Sequence, residues 1–512
     1  MAAGPVEVGS FNFMDQLPAL QVALPMFAAT LAAVVRKGNI AWLIALMTSL
    51  SMPIIAVLLL HQTFEQGVIS YEMGGWEPPI GIEYRVDTAN AYVLVIISII
   101  AAIVMPYAKR VVEADIPAEH QSYYYTMYLM CLCGLLGITI TGDAFNAFVF
   151  LEISSLSTYA MIAMGRDRRA LMAAYQYLIM GTVGATLYVI GVGLLYAMTG
   201  TLNFNDLSGR IADLGPQRPV LAALAFITVG LSLKIALFPL HKWLPNSYAY
   251  APSMATVFLA ATATKVAIYL LVRVYFTIYG PADIVASHDV DTLVLILSLA
   301  AMFVASFVAC FQLNVERMLA FSSVAQIGYI TLGISFASQT GLTGGLVHLV
   351  NHAFMKGALF MATGALMLRA GSVKLDDLAG IARKMPITMA AFVLAGLSLI
   401  GVPGTVGFVS KWYLASASFE AGQGWLAFAI MLSSLIAVIY IGRVVEVVYF
   451  REPSPAVERI TKEVPVSMLL PMWLMVVACF YFGINADLTA NTAASAADVF
   501  LSAIGNASTG GE

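Results

Sequence analysis

The chain has 512 residues, 60% of them hydrophobic and only 11% charged, and its mean hydropathy is +0.87. Soluble domains are about a quarter charged, so the composition excludes a soluble globular protein and leaves a polytopic membrane protein. A net charge of −4 offers no basic surface for nucleic acid, and four cysteines are too few for a disulfide framework.

The opening MAAGPVEVGSFNFMDQ is slightly acidic and lacks the basic start of a cleavable signal, so the first apolar run is expected to be a true span. A bilayer-crossing helix needs about 20 mostly apolar residues. In chain order, fourteen are expected near 17–35, 39–61, 88–108, 123–141, 143–164, 170–198, 219–248, 252–279, 291–312, 318–337, 341–369, 386–416, 424–450 and 464–484, followed by a short C-terminal tail. Cys131, Cys133, Cys310 and Cys479 fall in or beside apolar runs and read as small packing residues. Gly181, Gly184, Gly191 and Gly193 in the sixth span read as close-packing faces.

Loop charges set the orientation. Arg36-Lys37, Lys109-Arg110, Arg166/Arg168/Arg169, Arg317, Lys374/Arg383/Lys384 and Arg451/Arg459/Lys462 fall on alternate loops, and most of the opposite loops are acidic or nearly uncharged. The loop at 199–218 is the exception, with Arg210 and Arg218 beside Asp206 and Asp213. The pattern predicts a multi-pass protein of the cell's inner (plasma) membrane with both termini outside. Glu316-Arg317 and Arg443/Glu446 fall near the predicted cytoplasmic ends and are expected to be solvated or to face headgroups.

Two spans carry breaks. The seventh runs through Leu237-Phe238-Pro239-Leu240 and then Pro245, and the twelfth through Gly401-Val402-Pro403-Gly404. Proline removes a backbone donor and clashes one turn back, and broken backbone at membrane depth is tolerated only where it is buried in protein or lines a cavity. Lys234 lies about one turn before Pro239 and Lys411 about two turns after Pro403. Segments 123–279 and 291–450 match in length, each with a broken helix bearing a lysine and each with a double serine, Ser154-Ser155 and Ser322-Ser323. Five helices is an odd number, so the second copy must start from the opposite side, which is the inverted-repeat arrangement of many transporters. Segment 1–122 forms a three-helix N-terminal part and 451–512 holds the last span and tail.

Charges inside the spans carry the functional argument, because a charge at bilayer depth costs at least a few kcal/mol and marks an ion or proton path. Glu152 and Lys234 lie in the fifth and seventh spans and are expected to pair, either as a gate for proton release or as a static salt bridge. Lys265 sits half-way along the eighth span. His348, His352 and Lys356 are spaced i, i+4, i+8 and share one helix face, which suits proton relay. Two histidines one turn apart could also bind zinc, but Lys356 on the same face argues against it. His241 and Lys242 follow the first break beside Trp243, where an interfacial anchor competes with a site role. There is no phosphate-binding loop, dinucleotide fingerprint, iron–sulfur cysteine cluster or haem motif, so neither cofactor nor metal is expected.

The run GLSLKIALFPLHKWLPNSYAYAPSMATVFLAATATKVAIYLL, with FVFLEISSLSTYAMIA, FSSVAQIGYITLG, HLVNHAFMKGALF and GVPGTVGFVSKWYLA, resembles the antiporter-like subunits shared by respiratory complex I and multi-subunit Mrp cation/proton antiporters. The resemblance spans nearly the whole chain, with the motifs in family order. It implies an all-α membrane fold of about fourteen helices with two inverted five-helix repeats. It also implies that Glu152 and Lys234 form the span-five pair, that Lys265 with His348, His352 and Lys356 forms a central relay, and that Lys411 is the terminal lysine of the second half-channel. One complex I member carries glutamate at that last place; lysine fits the other members and the D-type Mrp subunits. The chain ends about 28 residues after its last span, against the long lateral helix of the largest complex I member. The loop from Met164 to Ile211 looks most like that of the D-type Mrp subunits.

Three functions follow as expectations. The first is a proton-translocating subunit of a Na+ or K+/proton antiporter complex. The second is a proton-pumping subunit of a complex I-like NADH:quinone oxidoreductase or a membrane hydrogenase, in which case the chain would be part of an oxidoreductase without catalysing electron transfer itself. The third is a structural scaffold. Expected partners are other membrane subunits, the lipid bilayer, protons and Na+ or K+.

Overall fold

The computed structural model describes residues 13–165 and 167–509. Arg166, one of the charges used for orientation, and most of the N-terminal stretch read against a signal peptide lie outside the described residues.

The N-terminal part comprises α1 (Leu17–Val35), α2 (Gly38–Gln66), a hairpin of β1 (Ile69–Glu72) and β2 (Glu83–Val86), and α3 (Thr88–Asp115). The next group is α4 (Gln121–Ile140), α5 (Ala144–Ala163), α6 (Arg168–Thr199), α7 (Phe204–Leu214), α8 (Arg218–Ile235), α9 (Trp243–Tyr250), α10 (Ser253–Ala261) and α11 (Ala263–Val272), extended by a π-helical stretch at Arg273–Ile278. After α12 (Ile284–Ser287) come α13 (Val290–Ala300), α14 (Ser306–Cys310), α15 (Val315–Ser335), α16 (Gln339–Ala370), α17 (Pro386–Ile400), α18 (Val406–Glu420) and α19 (Trp425–Val445). The chain finishes with α20 (Pro455–Glu458), α21 (Val466–Ile484) and α22 (Asp487–Thr509). Among the described residues, 13 helical segments are long and apolar enough to cross a membrane, or 14 if the bent segment that contains α17 is included.

Both expected breaks are present. The helix containing Lys234 stops at Ile235, where Ala236 takes a left-handed φ of +61° and the chain restarts as α9. The twelfth span is two 15-residue helices, α17 and α18, joined through Gly401 and Gly404 at φ +93° and +84°. A third break was not expected: Thr262, at φ −124° and ψ −56°, separates α10 from α11 without proline or glycine. Conversely, Pro25, Pro53, Pro106 and Pro471 lie inside continuous helices. Packed neighbours let a membrane helix absorb a lone proline, whereas the break at 401–404 has glycines on both sides that permit the positive φ.

The loop at 199–218 breaks the charge pattern because it folds as α7, which buries Phe204, Leu207 and Ile211 and pairs its own charges, Arg210 with Asp206 at 2.9 Å. The expected short tail is corrected: α22 is a 23-residue helix whose Ala490, Ala493, Ala497 and Phe500 are buried in the bundle. In the sixth span, Gly184 and Gly191 meet the backbone of α8 at Gly230 and Ala223, and Gly181 meets the Tyr159 hydroxyl. Gly193 faces open space instead.

The two halves repeat in detail. Asp143 bridges Asn203 and Asn314 bridges Lys374, each antiparallel. The Ala144 amide donates to the Leu202 carbonyl at 2.8 Å, and Val315 to Val373 at 2.9 Å. Helices α6 and α16 are both 32 residues long, and both end on a left-handed glycine, Gly200 and Gly371. Every partner in the second set follows its counterpart by 171 positions, as 143 to 314 and 203 to 374. On that register Ser154 and Ser155 match Ala325 and Gln326, so the expected match to Ser322 and Ser323 is three residues out.

A buried ion pair ties the first half to the N-terminal part. Asp87 caps α3 and accepts two hydrogen bonds of 2.8 Å from Arg273, with both side chains almost fully buried. Removing one member of such a pair strands the other charge, at about 3–5 kcal/mol. Arg273→Met is therefore expected to lower the thermal unfolding midpoint of the solubilised protein sharply. The double variant Asp87→Asn with Arg273→Met should lose less, because neither charge is stranded; the same unfolding assay checks both.

Candidate functional site

The site begins where α5 passes the end of α8. Glu152 Oε1 lies 3.5 Å from Lys234 Nζ, so the expected pair forms, and Lys234 Nζ also donates to Ser155 Oγ at 2.7 Å. Lys234 is buried, while the Glu152 side chain is 24% exposed. Glu152 falls between Val149 and Leu156 on the exposed stripe of α5, so it faces out of this chain as well as toward Lys234. Behind Lys234 a cavity of about 20 Å³ runs between Ser154, Ser155, Tyr177 and the α11 residues Ala263 and Ala267. That is room for about one water molecule.

Among the described residues, three of the four buried lysines rest on backbone carbonyls. Lys265 Nζ donates to the Ala260 carbonyl, which the Thr262 break deprives of its regular helical partner. Lys411 Nζ donates to the Leu399 and Ile400 carbonyls at 3.2 and 2.7 Å, at the end of α17 where the second break frees them. Lys356 Nζ donates to the Leu319 carbonyl at 2.8 Å and to the Ser322 hydroxyl, reaching from α16 to α15. A helix C-terminus carries partial negative charge, so each break is also an electrostatic seat for a cation.

The α16 face joins these lysines. His348 and His352 are fully buried, and their rings lie nearly parallel with centroids 6.4 Å apart. His348 Nδ1 is 2.8 Å from Ser410 Oγ and Nε2 is 3.0 Å from Gln326 Oε1. Because Gln326 Oε1 only accepts, Nε2 carries the hydrogen and Nδ1 faces Ser410, the residue before Lys411. Both ring nitrogens of His352 lack a hydrogen-bond partner among the described residues. His352 lies within electrostatic reach of Lys265 and Lys356, and His348 within reach of Lys265 and Lys411. Among the described residues no group of three His, Cys, Asp or Glu side chains is arranged to hold a metal.

His241 stands apart from this line. Its ring stacks on Phe238 at 5.3 Å and lines a groove of about 660 Å³ with Lys242, Trp243 and Arg317. The neighbouring Trp243 is buried, stacks on Tyr177 at 3.9 Å and donates to the Leu233 carbonyl at 2.9 Å, satisfying the end of α8. Glu316 is buried rather than solvated, at 6% exposure, which corrects the expectation for it. Arg443 is half-buried and donates to the Cys310 and Gln312 carbonyls at the end of α14, whereas Glu446 is exposed as expected and pairs with Arg451 at 3.0 Å.

Sequence reasoning missed the side chains that link the charged groups: Ser155, Gln326 and Ser410. Ser155 and Gln326 are repeat counterparts, and each bonds the titratable group next to it, Lys234 in one half and His348 in the other. Neutral residues give no signal in an apolar run; their role appears only once helices are packed. Arg273 did carry the signal, a charge inside VRVYFTIYG, and was passed over.

The family profile described as "NADH:quinone oxidoreductase/Mrp antiporter, TM" matches residues 141–437. The N-type subunit of the NADH-quinone oxidoreductase of Desulforudis audaxviator is 38% identical over 492 residues, covering 93% of this chain and 97% of that one. The D-type subunit of the Na(+)/H(+) antiporter of Bacillus subtilis is 28% identical over 495 residues, covering 95% and 98%. A chain of the Mrp complex from Dietzia sp. DQ12-45-1b superposes with a TM-score of 0.88 at 24% identity, covering 96% of this chain and 98% of that one.

At Gly401, φ is +93° and an added Cβ would lie 3.0 Å from Lys411 Cδ and 3.2 Å from Nζ. Gly401→Ala therefore strains the turn by about 1–2 kcal/mol and pushes Lys411 off its carbonyls. Proton translocation by the assembled complex in vesicles is expected to fall several-fold, with the amount of membrane-inserted protein unchanged on immunoblots.

Proposed function

Because the chain belongs to the NADH:quinone oxidoreductase/Mrp antiporter family of multi-pass membrane subunits, we propose that it moves protons along the buried line Glu152–Lys234, Lys265, Lys356 and His352, His348 and Lys411. The complex around it would exchange those protons for Na+ or K+. The observation that carries this reading is the geometry at His348, held between Gln326 and Ser410 with Lys411 next in sequence. It joins the α16 face to the second break through groups that can each take and give a proton. In the low dielectric of the interior, charge on one group repels charge on the next, so a proton advances rather than accumulates. Glu152 acts as the gate: closing on Lys234 at 3.5 Å holds charge there, and moving away releases it toward the small cavity and α11.

Segments 123–279 and 291–450 would each form one half-channel, with 1–122 and 451–512 flanking them. The alternating basic loops support a plasma-membrane location with both termini outside. The outward stripe bearing Glu152 supports a neighbouring membrane subunit on that face. His241 lies off the line, on the lateral groove. A second reading is favoured by the 38% identity to the N-type subunit of an NADH-quinone oxidoreductase: the same relay driven by electron transfer elsewhere in the complex. A scaffold role fits less well. Four lysines and two histidines buried among the described residues are an expensive way to staple helices that apolar side chains would pack.

The test is proton movement in inside-out vesicles from cells expressing the whole complex. Lys234→Ala and Lys411→Ala are each expected to cut the rate roughly tenfold or more. The neutral pair Glu152→Gln with Lys234→Met, which keeps the packing, should be equally inactive; full activity in that pair would return the scaffold reading. Movement started by a Na+ or K+ jump identifies the antiporter, and movement that needs an electron donor identifies the redox-driven pump.

A further inference from the structure

Glu316 is a buried carboxylate that the relay above does not use. It sits in the first turn of α15, is 6% exposed, and accepts no hydrogen bond or ion pair among the described residues. Its side chain lines a cavity of about 110 Å³ that opens on the face carrying the basic loops, together with Asp115, Asp167 and Ser253. An ionised carboxylate held in this way is expensive, and an apolar residue would serve packing better.

The position of Glu316 relative to Lys356 gives the cost a use. Glu316, Leu319 and Ser323 fall on one stripe of α15 at i, i+3, i+7. The Leu319 carbonyl on that stripe receives Lys356 Nζ, which also reaches Ser322, so Glu316 and the Lys356 nitrogen are separated by roughly one to two helical turns along α15. The Tyr107 hydroxyl stands on the cavity side of Glu316, near Ser253. It donates to the Met361 carbonyl at 3.1 Å, five residues beyond Lys356 on α16, and it is within electrostatic reach of both Glu316 and Asp115. Gly364 makes room for it: a Cβ there would stand 2.1 Å from the hydroxyl oxygen.

From this arrangement we infer that Glu316 is the proton access point of the relay on the basic-loop face. Its carboxylate takes a proton from the cavity, where the Tyr107 hydroxyl faces it, and gives it up along the α15 stripe toward the Lys356 amine. The carboxylate is regenerated and an ammonium forms, so charge balances at each step. Among the described residues, the charged and titratable groups that face Glu316 or line the cavity with it are Asp115 and Tyr107 on α3, Tyr250 at the end of α9 and Asp167, which pairs with Arg169 at 2.6 Å. The inference rests on the relay reading, so its test must separate the two.

The experiment compares Glu316→Gln, Glu316→Asp and Lys411→Ala in the intact complex, by proton translocation in inside-out vesicles across a pH series. Glu316→Gln keeps size and polarity but cannot carry a proton; a tenfold or greater loss at normal complex abundance is expected. Glu316→Asp should restore most of the rate with a displaced pH profile, which a packing role would not produce. If Lys411→Ala is inactive while Glu316→Gln keeps the wild-type rate and pH profile, the access point is wrong and the relay stands. If Lys411→Ala is itself fully active, the relay reading fails, and this inference with it. Should Glu316→Gln fail to assemble, the wild-type complex is treated from the basic-loop face with a water-soluble carbodiimide, and peptides are read by mass spectrometry. Modification of Glu316 with arrest of translocation supports the assignment. Modification without arrest, or modification of Asp167 while Glu316 stays untouched, overturns it.

Discussion

Everything in this structure follows from the cost of placing ammonium groups where water is scarce. Among the described residues, four lysines lie buried in the bundle, and the protein supplies their solvation from its own backbone and hydroxyls. An unbroken helix has few carbonyls to offer, because each is already committed to the amide four residues on. The chain therefore interrupts its helices beside Lys265 and Lys411, while Lys356 uses the Leu319 carbonyl and the Ser322 hydroxyl of the unbroken α15. The end of α17 is capped by Lys411, and the Thr262 break frees the carbonyl that receives Lys265. Lys234 differs. Its break is satisfied by the Trp243 indole, which leaves the ammonium to Glu152 and Ser155. The lysine with a carboxylate beside it is thus the one whose environment can change without unpicking a helix end.

The repeat explains why such a site could be built twice. The matched bridges at Asp143–Asn203 and Asn314–Lys374 and the two 32-residue helices set equivalent frames. Within them the side chains have diverged. The counterpart of His348 is Tyr177, which borders the cavity beside Lys234, and the counterpart of Gln326 is Ser155. One frame carries the lysine–glutamate pair, and the other a histidine face leading to Lys411.

How much was legible in the sequence depends on how loud each signal is. A charge in an apolar run is conspicuous, so Glu152, Lys234, Lys265, Lys356 and Lys411 were all identified, as was the face shared by His348 and His352. Breaks flanked by glycine and proline were readable; the one at Thr262 was not, because no residue there is barred from a helix. Helix α22 was missed because its Ala-, Thr- and Asn-rich sequence is neither a span nor an evident loop, and its buried face consists mainly of alanines. Glu316 was misplaced for a related reason. Nearness to a predicted span end suggests solvent, but the end of α15 is covered by its neighbours.

The central claim is that the groups from Lys234 to Lys411 form one hydrated line inside the bundle. The most direct measurement is a cryo-EM map of the intact complex at a resolution where ordered waters are visible. The account predicts water in the cavity beside Lys234 and at the unpartnered His352 ring, completing hydrogen-bonded contact from Lys234 through Lys265 and His348 to Lys411. A dry, apolar gap between Lys234 and Lys265, or between His352 and its lysine neighbours, would contradict it.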